Sequence, residues 1–402
     1  GGAAVPTLTE AGRALLLRRA ADSLLDKVVY YSRQRRSAAF CEKAAQTISE
    51  LKSAGVTPEM LSEYAKTPGA DREKLDELAL IYNAYEGLLA QSAMDPGDRQ
   101  QRAAERLDAE FHFDAVCAVC APYRTAFALE AAAIRGKKFL WQLDPYASNR
   151  DYTAPGGFAR EGQLLDALDG TFVTPQALPD YADGAPLAPW REKVHVLGFP
   201  TLLPRVMEPV EHDDIQCVFC GSLHPGMREP GFALALFRAL HDDAVTLTMA
   251  GGGWERFAAV RPGVQGALGH KQKPQCVHIS NVHAGLLPPD EAAALENRAD
   301  VLVSLGNTYD NQMPSKLFGY FATGKPVLHL AVSENDPTLP YLARYPLALV
   351  LHRKDGVTPG TVAKLHSWLH NVQGHALPFA QTARLYPEFT PEKVAEEFLK
   401  WL

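Results

Sequence analysis

The sequence predicts an α/β protein with two Rossmann-like domains, the first of them truncated, behind an all-helical segment. Three observations carry this. Residues 1–110 show helical periodicity and nothing else. From about residue 112, short apolar runs alternate with helical stretches. A proline-rich link near residue 205 separates two such alternating blocks.

The helical segment opens with TEAGRALLLRRAADSLLDKVVYY, with Thr9 as N-cap. SAAFCEKAAQTISELKSAG ends on Gly55 as C-cap, and VTPEMLSEYAK starts with Thr57 as cap and Pro58 in the first turn. DREKLDELALIYNAYEGLLAQSA places Leu75, Leu78, Ile81, Tyr82 and Tyr85 on one face, and MDPGDRQQRAAERLDAEF follows. Arg18, Arg19 and the RQRR run at 33–36 read as solvated helix surface. The first α/β block contains the strands FDAVCAVCAP, KKFLWQLD, DGTFVTP and EKVHVLGFP, with the helix YRTAFALEAAAIRG ending at Gly136. After PTLLPRVMEPVEHD, the second block runs strand IQCVFCG, helix GFALALFRALHD, strand AVTLTMAGGG, strand QCVHISNV, helix PPDEAAALENRA, strand DVLVSLG, helix PSKLFGYFATG and strand KPVLHLA. TPEKVAEEFLKWL is a final helix capped by Thr390. The expected domains are therefore 1–110 helical, 111–205 a partial Rossmann-like domain, 206–385 a complete one, and 386–402 a helix crossing back.

Composition narrows the function classes. The chain has 402 residues, 47% hydrophobic and 22% charged, with a net charge of −7. That is a globular mixture without the basic footprint of a nucleic-acid binder. No apolar run reaches the ~18 residues of a membrane span. The start, GGAAVPTLTEAGR, lacks an initiator Met and has neither the basic region nor the apolar core of a signal peptide. Six cysteines include two C-x-x-C pairs, Cys117/Cys120 and Cys217/Cys220. Both lie in strand-like runs, where residues three apart point to opposite faces. They are expected as buried, reduced thiols of a cytoplasmic protein rather than metal ligands.

In α/β sheets, ligands sit at the carboxyl ends of the strands. Here those ends carry Gly221 and Ser222, then Gly251, then Asn307, then Asn311, Gln312, Pro314, Ser315 and Lys316. PSK opens a helix whose first N–H groups lack intrahelical partners and, with the helix dipole, suit an anion. Ser315 adds a hydroxyl and Lys316 a point charge, while Arg228 can approach from the first helix. Taken singly, Ser315 is as well explained as a cap, Gly251 as a turn and Arg228 as a surface charge. On successive strand ends together, they favour a nucleotide-diphosphate pocket. Asp144, after KKFLWQL, is a candidate acceptor-side base or a turn residue before Pro145.

Two stretches resemble known families. KLDELALIYNAYEGLLAQSAMDPGD, with TISELKSAGVTPEML and LTEAGRALLLRRA before it, resembles the helical part of the B-type chain of bacterial ATP-dependent helicase/deoxyribonucleases. That resemblance covers about residues 5–110. No G-x-x-x-x-G-K-[ST] occurs anywhere, so it implies shared helices and not helicase activity. ADVLVSLGNTYDNQMPSKLFGYFATGKPVLHL, with FCGSLHPGMREP and MAGGG upstream, resembles the donor domain of GT-B glycosyltransferases, near the group 4-like surface-polysaccharide members. This second resemblance covers residues 112–402 and implies metal-independent transfer from a nucleotide-diphosphate sugar, with no cofactor. It implies that Gly221 and Ser222 line the phosphate or acceptor side, that Arg228 and Lys316 face the pyrophosphate, and that Asn311 to Ser315 contact sugar and phosphate. The implied partners are the sugar nucleotide and a glycan or lipid-linked acceptor, with no nucleic acid, at a cytoplasmic location open to peripheral association with the inner membrane face.

The family's two glutamates, eight positions apart, fall at Asn311 and Gly319; Asn311 fits the closest subgroup, and Gly319 departs. A helical Gly costs ~1 kcal/mol relative to Ala. A lost charge-assisted hydrogen bond to donor costs ~1.5–3 kcal/mol. The helical segment stands where the first β/α units of the acceptor domain belong, so residue 111 reads as a junction of two unrelated pieces. A glycosyltransferase is the leading expectation. The alternatives are a sugar-nucleotide binder without turnover, and a helicase/deoxyribonuclease fragment acting as a DNA-repair interaction module.

Overall fold

The computed structural model describes residues 8–24, 27–92, 99–120, 123–149, 156–205, 213–253, 281–284 and 287–401. The chain divides into two compact units, residues 1–196 with 402, and residues 197–401.

In the first unit, α1 (Glu10–Ser23), α2 (Ala38–Ser53), α3 (Pro58–Ala65), α4 (Arg72–Ser92) and α5 (Arg99–Phe111) precede a parallel sheet. Thr9 and Thr57 cap α1 and α3, their hydroxyls accepting from the amides of Gly12 and Met60. The first helix stops at Ser23 instead of running to Tyr31. The reason is Glu77 on α4, whose buried carboxylate accepts from the amides of Val29, Tyr30 and Tyr31 at 2.6, 2.6 and 3.0 Å. Those donors are thereby taken from any continuing helix, and Arg33 to Arg36 lie in turns rather than on a helix surface.

The first sheet has the order β1 (Ala115–Cys120), β2 (Lys137–Gln142), β3 (Gly170–Val173), β4 (Val194–Val196), all parallel. Helix α6 (Arg124–Ala131) ends before Gly136: Lys138 Nζ covers the carbonyls of Glu130 and Ala132 at 3.3 and 2.6 Å. Gly136 serves a different need, since a Cβ there would lie 2.3 Å from the Phe113 carbonyl oxygen. Helix α7 (Gly157–Asp166) leads to β3.

Leu17, Ile48, Ile81 and Tyr85 from the helices share one core with Ala118, Cys120, Leu129, Leu140 and Leu164 from the sheet and its helices. The helical segment and the partial sheet therefore make a single body. The joint is also polar: Tyr146 donates to the Ala54 carbonyl, and Arg160 Nε donates to Gly55 O at 3.3 Å.

The second unit has β5 (Ile215–Cys220), α8 (Gly231–Leu240), β6 (Val245–Gly251), β7 (Asn281–Ala284), α9 (Pro289–Arg298), β8 (Val301–Leu305), α10 (Lys316–Thr323), β9 (Val327–Ala331), α11 (Leu339–Leu342), β10 (Ala348–His352), α12 (Pro359–Val372), α13 (Phe379–Leu385) and α14 (Pro391–Leu399). Its strands are parallel in the order β10-β9-β8-β5-β6-β7. This is the Rossmann order 3-2-1-4-5-6 read from the other edge, with the reversal between β5 and β8. The core is apolar, from Cys217, Leu236, Phe237, Leu247, Val303 and Leu328 to Leu365 and Leu369 of α12.

The final helix, capped by Thr390, is assigned to this second unit. The start of the strand expected at QCVHISNV, half of the proline-rich link and the MDPGD turn lie outside the described residues. Among the described residues, no helix is long and apolar enough to cross a membrane.

Candidate functional site

The reversal between β5 and β8 opens a crevice at the carboxyl ends of these strands, the position where doubly wound sheets bind ligands. Most of the sequence-predicted donor residues lie on it. Gly221 and Ser222 follow β5 directly. Gly251 closes β6 with φ 143°, and a Cβ there would lie 1.9 Å from the Gly221 carbonyl oxygen. Only glycine permits the two strand ends to come this close.

Arg228 reaches back across the crevice. Its Nε and Nη2 donate to Asn307 Oδ1 at 3.0 and 2.7 Å, and its Nη1 donates to Ser222 O at 3.4 Å. The guanidinium thus ties the end of β5 to the turn after β8, and Asn307 is buried. Arg228 is therefore part of the strand-end framework and not a detached surface charge. The backbone returns on itself to aim it: His224 and Arg228 exchange amide–carbonyl bonds at 3.0 and 2.8 Å.

Lys316 lies at the same place. Its Nζ donates to Cys220 O at 2.7 Å and sits 2.9 Å from Glu296 Oε1, a carboxylate that also accepts from Arg205 at 2.8 Å. The lysine side chain is 47% exposed, so this ion pair is open to solvent. Glu296, Arg205 and Tyr320, whose buried hydroxyl donates to the same Cys220 O at 3.4 Å, were not singled out in the sequence. Glu296 sits on the outward pattern of an ordinary charged helix, and only the fold brings it beneath Lys316.

The start of α10 differs from the expectation in one respect. The amides of Leu317 and Phe318 already bond to Pro314 O and Ser315 O at 3.1 and 3.2 Å, so a tight first turn has taken two of the supposed free donors. Ser315 has helical φ and ψ, and its hydroxyl makes no cap bond. The cap explanation for Ser315 thus falls away, and its exposed hydroxyl faces solvent. Gln312 is buried, and Asn311 and Pro314 are half-buried on the approach to the helix. Aromatic stacking fixes α10 from behind: Phe318 on Phe389 at 3.6 Å and Phe321 on Tyr386 at 4.6 Å between ring centroids. A Cβ on Gly319 would meet nothing within 4 Å.

A buried network holds the turn that carries Asn307. His329 lies 3.1 Å from Ser304 Oγ and 3.0 Å from Asp336 Oδ2, and Thr338 donates to Asp336 Oδ1 at 2.6 Å. Burial alone would raise Asp336, but the His329 hydrogen bond and charge, with Thr338, hold it below the usual carboxylate range. Gly306 leaves room for that carboxylate, since a Cβ there would lie 2.5 Å from Asp336 Oδ2. Beside the Arg228–Asn307 pair, a cavity of about 250 Å³ has Leu305, Leu330 and Phe232 in its lining and the Glu229–Arg353 ion pair, 3.8 Å, at its polar side.

Asp144 lies in the first unit, two residues past β2. Its carbonyl accepts from the Tyr123 hydroxyl at 2.6 Å, which gives it a role in the turn. The buried acid there is Glu161, which accepts from Gln142 Nε2, Ala147 N and Tyr181 OH at 2.7, 3.0 and 3.3 Å. Burial pushes its carboxyl above the ordinary range. Of the strand cysteines, Cys120, Cys217 and Cys220 are buried, while Cys117 is only half-buried; desolvation pushes Cys117 to about 12 and Cys120 and Cys220 to about 11.

Residues 1–119 match the sequence model of a family described as ADDB, N-terminal. Over 115 residues the chain is 37% identical to the B-type chain of the ATP-dependent helicase/deoxyribonuclease of Moorella thermoacetica, a stretch that is 27% of this chain and 10% of that protein. It is 32% identical over 110 residues to the corresponding chain of Thermoanaerobacter sp. (strain X514), with the same shares of 27% and 10%. The chain thus spans about one tenth of the length of the curated relatives it matches.

Among solved structures, it is similar to the UDP-forming alpha,alpha-trehalose-phosphate synthase of Burkholderia xenovorans. The TM-score is 0.48 at 12% identity, over 89% of this chain and 84% of that one. It is also similar to the accessory secretory protein 1, 2 and 3 structure of Streptococcus pneumoniae (0.49, 13%, 76% and 57%) and to S. aureus TarM (0.48, 10%, 71% and 55%). These scores lie below 0.5 and leave function to the site's own geometry.

Proposed function

We propose that the second unit binds a nucleotide-diphosphate sugar at the β5/β8 reversal. On this reading, the chain is a GT-B glycosyltransferase acting on a glycan or lipid-linked acceptor without a bound metal or cofactor. The observation that supports it best is the convergence of Arg228, Asn307, the Gly221/Gly251 strand ends and Lys316 at one topological crevice. A departing diphosphate needs positive charge and donors set in advance. Arg228 is already held by Asn307 and Ser222, and Lys316 becomes available when Glu296 retains Arg205 instead. Arg228 and Lys316 would hold the pyrophosphate, and the exposed Ser315 hydroxyl would meet a sugar or phosphate oxygen.

Thermal melting with UDP, GDP, their sugars and duplex DNA tests this. A nucleotide diphosphate is expected to raise the melting temperature, and Arg228→Ala or Lys316→Ala to abolish the rise. If no nucleotide or sugar nucleotide moves the transition, the proposal falls. A shift with DNA alone would favour an interaction module built on the helical segment.

A second reading, donor binding without turnover, is favoured by one observation. Among the described residues, the first sheet runs β1-β2-β3-β4 without the strand-order reversal at which doubly wound sheets bind ligands. Sugar-nucleotide binding with neither hydrolysis nor transfer over a panel of acceptors would select it.

A further inference from the structure

We propose that Asp242, His366 and His370 form a binding site for a divalent transition-metal ion of the zinc class, at the end of the second sheet opposite the strand-end crevice. His366 and His370 are one helical turn apart on α12, so they share a face. Their Nε2 atoms lie 3.0 and 2.7 Å from a single carboxylate oxygen, Oδ2 of Asp242. The three donor atoms all lie within 4.8 Å of one another, and the imidazole centroids are 4.6 Å apart. Zinc–ligand bonds of about 2.0–2.2 Å need nitrogen and oxygen donors converging at roughly this separation. Two imidazoles and a carboxylate are a ligand set that suits zinc, nickel or copper over magnesium or calcium.

The site is built on held elements. The other carboxylate oxygen of Asp242 accepts from the Ala244 amide at 2.9 Å, which orients the ligand as an outer-shell partner does. Leu365, Leu369 and Val372 fix α12 in the core that also holds Leu236, Phe237 and Leu240 of α8. Asp242 is 16% exposed and the two histidines 46% and 41%, so an ion reaches them from solvent and keeps an open coordination position. Because α8 ends just before β6 begins, the site lies at the amino ends of the strands. A bound ion would therefore clip the α8–β6 turn to α12 rather than enter the donor chemistry, and the inference stands apart from the proposed transferase function.

Zinc titration of the full metal-stripped chain, followed by calorimetry and thermal melting, tests it. Cobalt(II) substitution reports the ligand geometry. The expected result is a single strong zinc ion per chain, a raised melting temperature, and cobalt d–d bands of a four-coordinate N/O site. His366→Gln and His370→Gln should each weaken binding roughly tenfold or more, given that even outer-shell losses reach that size. Binding that survives the His366→Gln/His370→Gln double variant unchanged, or cobalt bands with sulfur charge transfer, would place the ion on other residues and overturn the proposal. Absence of zinc binding in the folded wild-type chain would overturn it equally. The substituted residues are on the surface, and circular dichroism of the variants checks that they fold.

Discussion

The two parallel sheets are made of the same kind of strand but wound differently. The second reverses direction between β5 and β8; the first proceeds β1-β2-β3-β4 without turning back. The difference decides what polar residues at the strand ends can do. At the reversal, adjacent strands send their connections to opposite faces, and Arg228 and Lys316 bond to the strand-end groups Asn307, Ser222 O and Cys220 O there. In the first sheet the strand-end polar groups are used internally. Gln142, Glu161, Tyr123 and Tyr181 bond to one another, and Asp144 contributes a backbone carbonyl. The second sheet thus brings two cationic side chains, Arg228 and Lys316, to its strand ends, where the first brings a buried acid and its hydrogen-bond partners.

The sharpest way to break this contrast is to remove His329. Its loss leaves Asp336 buried without its principal counter-group. Breaking a buried pair from one side costs about 3–5 kcal/mol. His329→Ala should therefore lower the urea midpoint of the second unit strongly and, by releasing the turn at Asn307, weaken nucleotide binding as well. A variant of wild-type stability would mean that the β8 turn is held by something else. The matching change in the first unit is Glu161→Ala, which strands the Gln142 and Ala147 donors at a cost of about 1–3 kcal/mol. It should leave the nucleotide-induced melting shift intact; losing that shift would show that the first sheet also serves the donor.

The same two acids give opposite pH slopes. Glu161 is raised in the folded chain by burial, so the native state holds that proton more tightly than the unfolded one. Its contribution to stability is full in acid and falls as pH rises from the ordinary carboxylate range to the raised value. Asp336 is held low, so its contribution is present above the ordinary range and is lost as pH falls through the depressed value. Stability of wild type relative to Glu161→Gln should decline with rising pH, and relative to Asp336→Asn it should increase. Urea melts over roughly pH 3 to 8, which brackets the ordinary carboxylate range, measure both slopes. Slopes of the same sign would remove the distinction between the sheets' buried acids.

How much of this was legible depended on the distance over which each feature is determined. Thr9, Thr57 and Thr390 were readable as caps because a cap bond spans three residues. The strand-end glycines were readable because strand and turn adjoin in sequence. The end of α1 was not, since Glu77 intercepts its amides from more than forty residues away. The fusion of helices and first sheet into one core was equally hidden: residues 54 and 146 carry no mark of meeting. Lys316 was found by its motif, but its pairing with Glu296 and Cys220 O exists only in the fold. The spacing of His366 and His370 was present in LHSWLHNV, whereas Asp242, more than a hundred residues earlier, was not connected to it.

The smallest effect concerns Gly319, where the sequence resemblance would have placed a glutamate. It is helical and half-buried, and the space beside it is open to any side chain. Gly319→Ala should therefore stabilise the second unit by up to about 1 kcal/mol through helix propensity alone. Calorimetry should show a rise in melting temperature of a few degrees at most for a unit of this size. Gly319→Glu gains less propensity but adds a carboxylate one turn beyond Ser315 and Lys316. If it tightens UDP-sugar binding while Gly319→Ala does not, the glycine marks a missing ligand contact. If both variants bind donor alike, the open space at Gly319 has no part in the site, and the contrast between the sheets rests on Arg228 and Lys316 alone.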